Sequence, residues 1–230
     1  MPKMTAVSLF SGAGGLDVGF EKAGFQIVYA NEFDHDAACT WCANRPLYNQ
    51  VMHEGDINVL LPELEQYKGT VDVLFGGPPC QGFSVAGKMD PNDARSELIF
   101  TFLKAVQLVQ PKFFVMENVK ALGTLEKWAA VRNRYISMAT ELGYSVGYEV
   151  FHTAEYGVPQ KRDRVIFVGV RNGTPTAFFK EMEKLKCPAP TAREVLLSVG
   201  EFGSPENPDT CAAAITLAKR PIMRKSPYAG

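Results

Sequence analysis

The chain has 230 residues, and a content of 46% hydrophobic and 21% charged residues is that of a globular protein, which argues against disorder. Its formal net charge of −1 lacks the strong positive field of a protein that binds nucleic acid unaided. The sequence has no signal-peptide pattern and no apolar run near the roughly 18 residues that span a membrane. We therefore expect a soluble cytoplasmic protein.

The first predicted elements are a strand at residues 5–10, the glycine turn S-G-A-G-G at 11–15, a helix and a second strand at 25–30. This order resembles the first unit of a nucleotide-binding sheet, in which glycines let the backbone approach the ligand. The third glycine of G-x-G-x-x-G would fall on position 17, which is Asp17. A pyrophosphate site is therefore disfavoured and a phosphate-free nucleoside is favoured. A turn that only packs helix on strand remains the alternative.

Acidic residues follow the second and third predicted strands, at the edge where ligands bind in open α/β sheets. Glu32 suits ribose hydroxyls, and Phe33 beside it suits an adenine face, although an isolated phenylalanine is more often a core residue. Asp56 follows a short strand within 51–57 and suits an adenine amine, or it merely caps a helix.

The turn G-G-P-P-C-Q-G-F-S at residues 76–84 places Cys80 just after the buried strand predicted at 71–75. A thiol there is either a nucleophile or an inert buried cysteine, and a nucleophile needs a cation or a helix N-terminus nearby. Residues 85–93 form a polar loop that either closes over a substrate or merely connects. Cys39 and Cys42 are interpreted as helix packing rather than as metal ligands.

The later elements are a helix at 95–109, a strand at 113–116 that ends before Glu117, a long helix at 125–142, and strands at 144–151 and 165–168. Glu117 should face the same edge as Cys80, or it is simply solvated. Arg162 and Arg164 precede the last strand, and we expect at most one to face a ligand, unless both are surface charges offset by Asp163. After residue 170, prolines predict a linker and a further module. The basic run at 219–225 suits nucleic acid or a solvated face.

The segments F-S-G-A-G-G, N-E-F-D, G-D-I, P-P-C-Q-G-F-S, E-N-V and Q-K-R-D-R-V follow one another as in C5-cytosine DNA methyltransferases, and the chain resembles that family through residue 170. The resemblance implies an α/β fold, namely a Rossmann-like sheet of an S-adenosylmethionine-dependent methyltransferase with helices on both faces. Residues 1–170 would form the catalytic and cofactor-binding domain. Residues 171–230 would form a linker and the start of an incomplete target recognition module.

By the same resemblance, S-adenosylmethionine is the cofactor and S-adenosylhomocysteine the product. The site would be formed by Phe10, Gly12, Ala13, Gly14, Gly15, Glu32, Phe33, Asp56, Ile57, Gly77, Pro79 and Leu98. Glu32 would hold the ribose, Phe33 would lie on the adenine and Asp56 would meet the adenine amine.

The resemblance also implies the chemistry, in which Cys80 adds to C6 of a cytosine flipped out of double-stranded DNA. Glu117 would stabilise N3 and the exocyclic amine, and Arg164 the base carbonyl. Arg162 and Ser84 would hold backbone or phosphate. Gln81 and Lys88 are the further predicted nucleic-acid contacts.

The family's full recognition domain and closing Gly-Asn-Ser have no counterpart in this sequence. We therefore expect either a shortened chain or one subunit of a split restriction-modification enzyme, whose second polypeptide carries those parts. A cofactor-binding module that is inactive alone and a tRNA cytosine methyltransferase remain alternatives, whereas a nicotinamide oxidoreductase is disfavoured by Asp17 and a cysteine hydrolase is also disfavoured. The hydrolase is disfavoured because only His152 follows Cys80 as a possible base.

Overall fold

The structure, a computed structural model, describes residues 3–79 and 97–198. Contacts divide the chain into two units: Met1–His152 with Arg162–Lys186, and Thr153–Lys161 with Cys187–Gly230. The first unit holds the sheet. In the second, a bridge joins Tyr156 and Cys187, and a short helix, Ala192–Ser198, begins with a capping box in which Thr191 and Glu194 bond each other.

The sheet has seven strands in the order β3-β2-β1-β4-β5-β7-β6. The strands are β1 Met4–Leu9, β2 Phe25–Glu32, β3 Met52–Glu54, β4 Val73–Gly76, β5 Phe113–Val119, β6 Tyr144–His152 and β7 Asp163–Arg171. The first five are parallel, and β7 lies antiparallel between β5 and β6. The direction of winding reverses between β1 and β4, so the carboxyl ends of these strands form the crevice where ligands bind in such sheets.

Helices cover both faces of this sheet. They are α1 Gly15–Lys22, α2 His35–Ala43, α3 Ile57–Leu60, α4 Leu98–Val109, α5 Lys120–Thr124, α6 Ala129–Glu141 and α7 Thr176–Lys184, and α8 is the helix Ala192–Ser198 of the second unit. None of the helices in residues 3–79 and 97–198 is long and apolar enough to cross a membrane.

Alternation along the central strands explains the two faces. In β4, Val73 and Phe75 join a core with Trp41 of α2, whereas Leu74 joins the core built around α4 and α6. Phe20 of α1 stacks on Phe75 with ring centroids 3.8 Å apart. Both faces are thus closed by packed apolar side chains, and the predicted Rossmann-like α/β class is confirmed.

Several predicted elements differ from the observed ones. The strand predicted at 165–168 runs from Asp163 to Arg171, so Arg164 lies inside it rather than before it, and the strand predicted within 51–57 is limited to Met52–Glu54. The helix predicted at 125–142 is not continuous: Leu125 has an extended backbone that separates α5 from the 3-10 turn Glu126–Trp128 and α6. The strand predicted at 113–116 continues to Val119, because Glu117, Asn118 and Val119 pair with β7. Glu117 therefore lies inside a strand rather than after it.

Candidate active site

The glycine turn after β1 depends on left-handed backbone angles. Phe10, Gly12 and Gly14 have φ values of 53°, 55° and 90°, and the Gly14 amide donates to the Ser11 carbonyl over 3.0 Å. A Cβ on Gly14 would lie 2.5 Å from Nη1 of Arg45 and 2.8 Å from Cδ1 of Trp41. Position 14 therefore requires glycine for both its angle and its space.

Glu32 ends β2 with its carboxylate held by three backbone amides. Gly12 donates to Oε2 over 2.7 Å, and Phe33 and Asp34 each donate to Oε1 over 2.9 Å. A carboxylate offers about four lone-pair sites, so one remains for a ligand hydroxyl. The contact with Gly12 also fixes the glycine turn against the end of β2.

A cavity of about 350 Å³ opens beside this turn, within the first unit. Eight of the twelve predicted cofactor residues line it, namely Phe10, Glu32, Phe33, Asp56, Ile57, Gly77, Pro79 and Leu98. The other four, Gly12, Ala13, Gly14 and Gly15, belong to the glycine turn and the start of α1. Phe33 is 75% exposed, so it is not the core residue that an isolated phenylalanine would more often be.

Asn31, Gly55 and Asn58 also line the cavity and were not predicted as site residues. Asn31 is 1% exposed and donates from Nδ2 to the carbonyls of His53 and Gly55, both over 3.0 Å. It thereby joins the end of β2 to the chain that delivers Asp56. The sequence signal that could have identified them is their position, since Asn31 and Gly55 begin the motifs N-E-F-D and G-D-I and Asn58 directly follows the second motif.

A group of polar side chains, formed by Asp17, Glu21, Trp41 and Arg45, supports the glycine turn from beneath. Arg45 of this group is 6% exposed, binds both carboxylate oxygens of Glu21 over 2.7 and 3.0 Å, and donates to the Gly14 carbonyl over 3.3 Å. Asp17 is fully buried and accepts from Nε1 of Trp41 over 2.9 Å. Burial raises the pKa of Asp17, and the Trp41 hydrogen bond and the charge of Arg45 oppose that rise. None of these contacts was predicted, because they join α1 and the turn before it to α2 and the residues that follow it.

The turn that leads to position 80 is fixed to its neighbouring strands. A Cβ on Gly76 would overlap the carbonyl oxygen of Leu9, and one on Gly77 would lie 3.1 Å from Oε2 of Glu117. Asn118, which is 1% exposed, donates from Nδ2 to the Pro78 carbonyl over 3.2 Å and accepts from the Val119 amide over 2.9 Å. Gly76 thus packs against β1 and Gly77 against Glu117, because neither glycine has a side chain.

Glu117 and Arg164 form an ion pair, with Nε of Arg164 2.5 Å from Oε1 of Glu117. The register of β5 and β7 places Val119 opposite Arg164, so Glu117 lies two residues away on the same face. Both side chains are about three quarters covered, with 24% and 23% of their surface exposed. This pair lies beside Gly77, at the edge of the sheet that also forms the cavity.

Arg162 is exposed and precedes the first residue of β7. Arg164 alone of the two arginines reaches Glu117. Residues two apart within one strand share a face, but β7 begins at Asp163, so Arg162 lies outside the strand and does not share the face of Arg164 by this rule. The alternative in which Asp163 offsets both arginines does not hold, because Asp163 binds Nδ1 of His152 over 2.6 Å and Nζ of Lys120 over 2.9 Å. These two hydrogen bonds lower the pKa of Asp163.

Cys80, Gln81, Ser84 and Lys88 lie outside the described residues, as does the loop predicted at 85–93. The basic run at 219–225 lies outside them as well. The described chain reaches Pro79, the residue before Cys80. Pro79 itself lines the cavity.

A family model described as C-5 cytosine-specific DNA methylase matches residues 4–220. The Type II methyltransferase M.NgoPII of Neisseria gonorrhoeae is 40% identical over 176 residues, which cover 76% of this chain and 50% of that protein. M.AquIA of Picosynechococcus sp., also a Type II methyltransferase, is 40% identical over 202 residues, which cover 82% of this chain and 79% of that protein.

Solved structures agree with these matches. The DNMT2 protein of Spodoptera frugiperda is similar with a TM-score of 0.60 and 27% identity, over 74% of this chain and 50% of that one. An Escherichia coli prophage protein assigned as a DNA modification methyltransferase has a TM-score of 0.61 and 31% identity, over 73% and 47% of the two chains. The chain spans about half the length of M.NgoPII and of both solved proteins. With a family model that matches nearly its whole length, it belongs to the C-5 cytosine-specific DNA methylase family.

Proposed function

We propose that this chain carries the catalytic machinery of an enzyme that methylates C5 of cytosine in double-stranded DNA, as in a Type II restriction-modification system. The observation that carries the proposal is the Glu117–Arg164 pair beside Gly77, three residues before Cys80 and at the same edge as the cavity. A carboxylate paired with a guanidinium matches the polar edge of cytosine, which has an amine, a ring nitrogen and a carbonyl.

The cavity fits S-adenosylmethionine, the cofactor that the family implies. Its volume is within the usual range for small ligands, and none of the described residues that line it is a lysine or arginine, which suits a nucleoside without phosphates. Glu32 would accept from one ribose hydroxyl, the exposed ring of Phe33 would cover a base, and Asp56 would accept from its amine. When bound, S-adenosylmethionine supplies an electrophilic methyl group carried on a sulfonium.

The residues of this chain would prepare the cytosine for that group. The Cys80 thiolate forms a bond to C6, and the displaced electron pair moves into the ring toward C5 and N3. Glu117 would act as a general acid that gives a proton to N3 and would accept a hydrogen bond from the exocyclic amine, while Arg164 would donate to the carbonyl oxygen on which charge accumulates. After methylation, loss of the C5 proton returns its electron pair to the ring and the bond between sulfur and C6 breaks.

The target base must leave the duplex to reach Cys80, which costs a few kcal/mol. Arg162, exposed at the entrance to β7, would contact the DNA backbone, and Gln81, Ser84 and Lys88 would supply further contacts. The division of the chain at residue 170 and a second polypeptide with the recognition module stay predictions from the sequence.

The test is covalent trapping by the full chain. Duplexes of random sequence that contain 5-fluorocytosine, whose C5 fluorine cannot leave as a proton, are incubated with S-adenosylmethionine and separated under denaturing conditions. We expect an adduct that is absent in Cys80→Ser and retained in Cys39→Ser, a control at an exposed cysteine. Binding of S-adenosylhomocysteine is measured alongside by calorimetry. Absence of both the adduct and the binding would refute the proposal, and an adduct with tRNA but not with DNA would transfer it to tRNA.

A further inference from the structure

Three polar side chains form a directed chain of hydrogen bonds at one wall of the cavity. Thr101 of α4 is 3% exposed and donates from Oγ1 to Oδ1 of Asn58 over 2.9 Å. Asn58 donates from Nδ2 to Oδ1 of Asp56 over 3.0 Å, and its backbone amide donates to the same oxygen over 2.9 Å. Every donor points toward Asp56, so the chain ends on a carboxylate.

These contacts determine which oxygen of Asp56 can still accept a hydrogen bond from a ligand. Its Oδ1 is engaged by two donors from Asn58, and within the described residues its Oδ2 accepts no hydrogen bond. A carboxylate accepts but does not donate. Because Asp56 and Asn58 both line the cavity, the free oxygen is a fixed acceptor next to the apolar residues Ile57 and Leu98.

We propose that Asn58 and Thr101 are positioning residues that hold Asp56 as an acceptor-only group and so make the cavity select a 6-amino purine over a 6-keto purine. The inference rests on the proposed function, in which the cavity holds the nucleoside part of the cofactor. An amine places a hydrogen toward Asp56, whereas a keto oxygen would face a carboxylate oxygen with no proton between them.

Each positioning residue has a separate role in this arrangement. Asn58 occupies Oδ1 and so restricts rotation of the Asp56 carboxylate. Thr101 fixes the amide of Asn58 with its nitrogen toward Asp56, since the threonine hydroxyl donates to the amide oxygen. Loss of either contact frees the carboxylate to turn away or to bind a water, and a water can donate to a keto oxygen.

The test measures selectivity rather than activity. Calorimetry with the full chain compares S-adenosylhomocysteine with S-inosylhomocysteine, which has a keto oxygen in place of the amine. We expect the wild-type chain to prefer the adenosyl compound by about tenfold or more, since the site loses one hydrogen bond and faces a repulsive contact. Asn58→Ala should lower that ratio toward one, chiefly through tighter relative binding of the inosyl compound.

Two threonine variants and a control separate positioning from a general loss of structure. Thr101→Val removes the hydroxyl at nearly constant volume and should lower the ratio, whereas Thr101→Ser keeps the hydroxyl and should preserve it. Asn133→Ala, at an exposed position on α6, should leave it unchanged. Thermal unfolding of each variant verifies that the chain is folded, and the valine and serine pair decides the question if Asn58→Ala does not fold.

The outcomes are distinguishable. A wild-type chain that binds both compounds equally, or variants that retain the full ratio, overturns the inference and leaves the proposed function intact. A wild-type chain that binds neither compound refutes cofactor binding, and the inference fails with it. A ratio that falls in Asn58→Ala and Thr101→Val but not in Thr101→Ser supports it.

Discussion

Replacement of Arg45 by methionine removes the guanidinium beneath the glycine turn and most directly tests how that turn is supported. The variant loses two charge-assisted bonds to Glu21 and one bond to the Gly14 carbonyl. Breaking a fully buried pair costs roughly 3–5 kcal/mol, but Glu21 is 34% exposed and regains water when Arg45 is absent. Methionine fills much of the same volume but lacks the guanidinium that lies 4.6 Å from the centre of the Trp41 ring. We therefore expect a loss of about 2 kcal/mol in the free energy of unfolding.

The reverse substitution, Glu21→Met, should cost more than Arg45→Met. It leaves a cation with 6% exposure that cannot regain water, whereas Arg45→Met leaves a partly exposed anion. The double variant should be no less stable than Glu21→Met alone, because it removes the stranded charge. Urea unfolding curves measure all three, with Arg193→Met at an exposed position of α8 as the control. If Arg45→Met loses no more stability than the control, or if Glu21→Met loses less than Arg45→Met, the buried guanidinium does not support the turn in this way.

Further predictions concern pH and two adjacent glycines. Burial raises the pKa of Asp17 in the folded state above its usual value of 3.8. Asp17 therefore stabilises the fold below pH 3.8, and this contribution is lost as the pH rises through the folded-state pKa. The free energy of unfolding of the wild type relative to Asp17→Asn should fall toward neutral pH. The pH dependence expected for Asp163 is the opposite, because hydrogen bonds from His152 and Lys120 lower its pKa below 3.8. The wild type should be more stable than Asp163→Asn above pH 3.8, and this difference should disappear as the pH falls. Stability differences that change with pH in the same direction for Asp17 and Asp163 would contradict both predictions. Gly76→Ala should cost about 2 kcal/mol in urea unfolding because its Cβ would overlap a backbone carbonyl, and a neutral result would mean that β1 can shift. Gly77→Ala should instead lower adduct formation at least about tenfold at nearly wild-type stability, because its Cβ would approach the carboxylate of Glu117 and displace it.

The parts of the site that were predicted from sequence share one physical origin. Phe10, Glu32, Asp56 and Pro79 all lie at or shortly after the carboxyl ends of parallel strands, and these ends meet at one edge of the sheet. Locating the strands was therefore enough to bring these residues together. Short errors in strand length did not matter, since each residue stays at the same edge.

The supporting contacts could not be obtained in this way. Arg45, which follows α2, is 24 residues from Glu21 of α1, and Thr101 of α4 is 43 residues from Asn58 of α3. Their meeting depends on how α2 and α4 pack on the two faces, which periodicity does not determine. The same limit explains the wrong prediction of one helix at 125–142. The apolar spacing continues through Leu125, but the backbone there is extended, and Trp128 reaches the core from a separate 3-10 turn.

Strand register determines which charges pair at the edge that carries Glu117. His152 lies directly opposite Asp163 in the pairing of β6 with β7, so Asp163 is bound by His152 and by Lys120. Arg164, the next residue, points to the other face of the sheet and pairs with Glu117 on the adjacent strand β5. A shift of one residue in the register of β7 would exchange these faces and place Asp163 beside Glu117, two acids where the proposed chemistry needs an acid and a cation. The antiparallel insertion of β7 between β5 and β6 is thus what gives Glu117 a cationic partner.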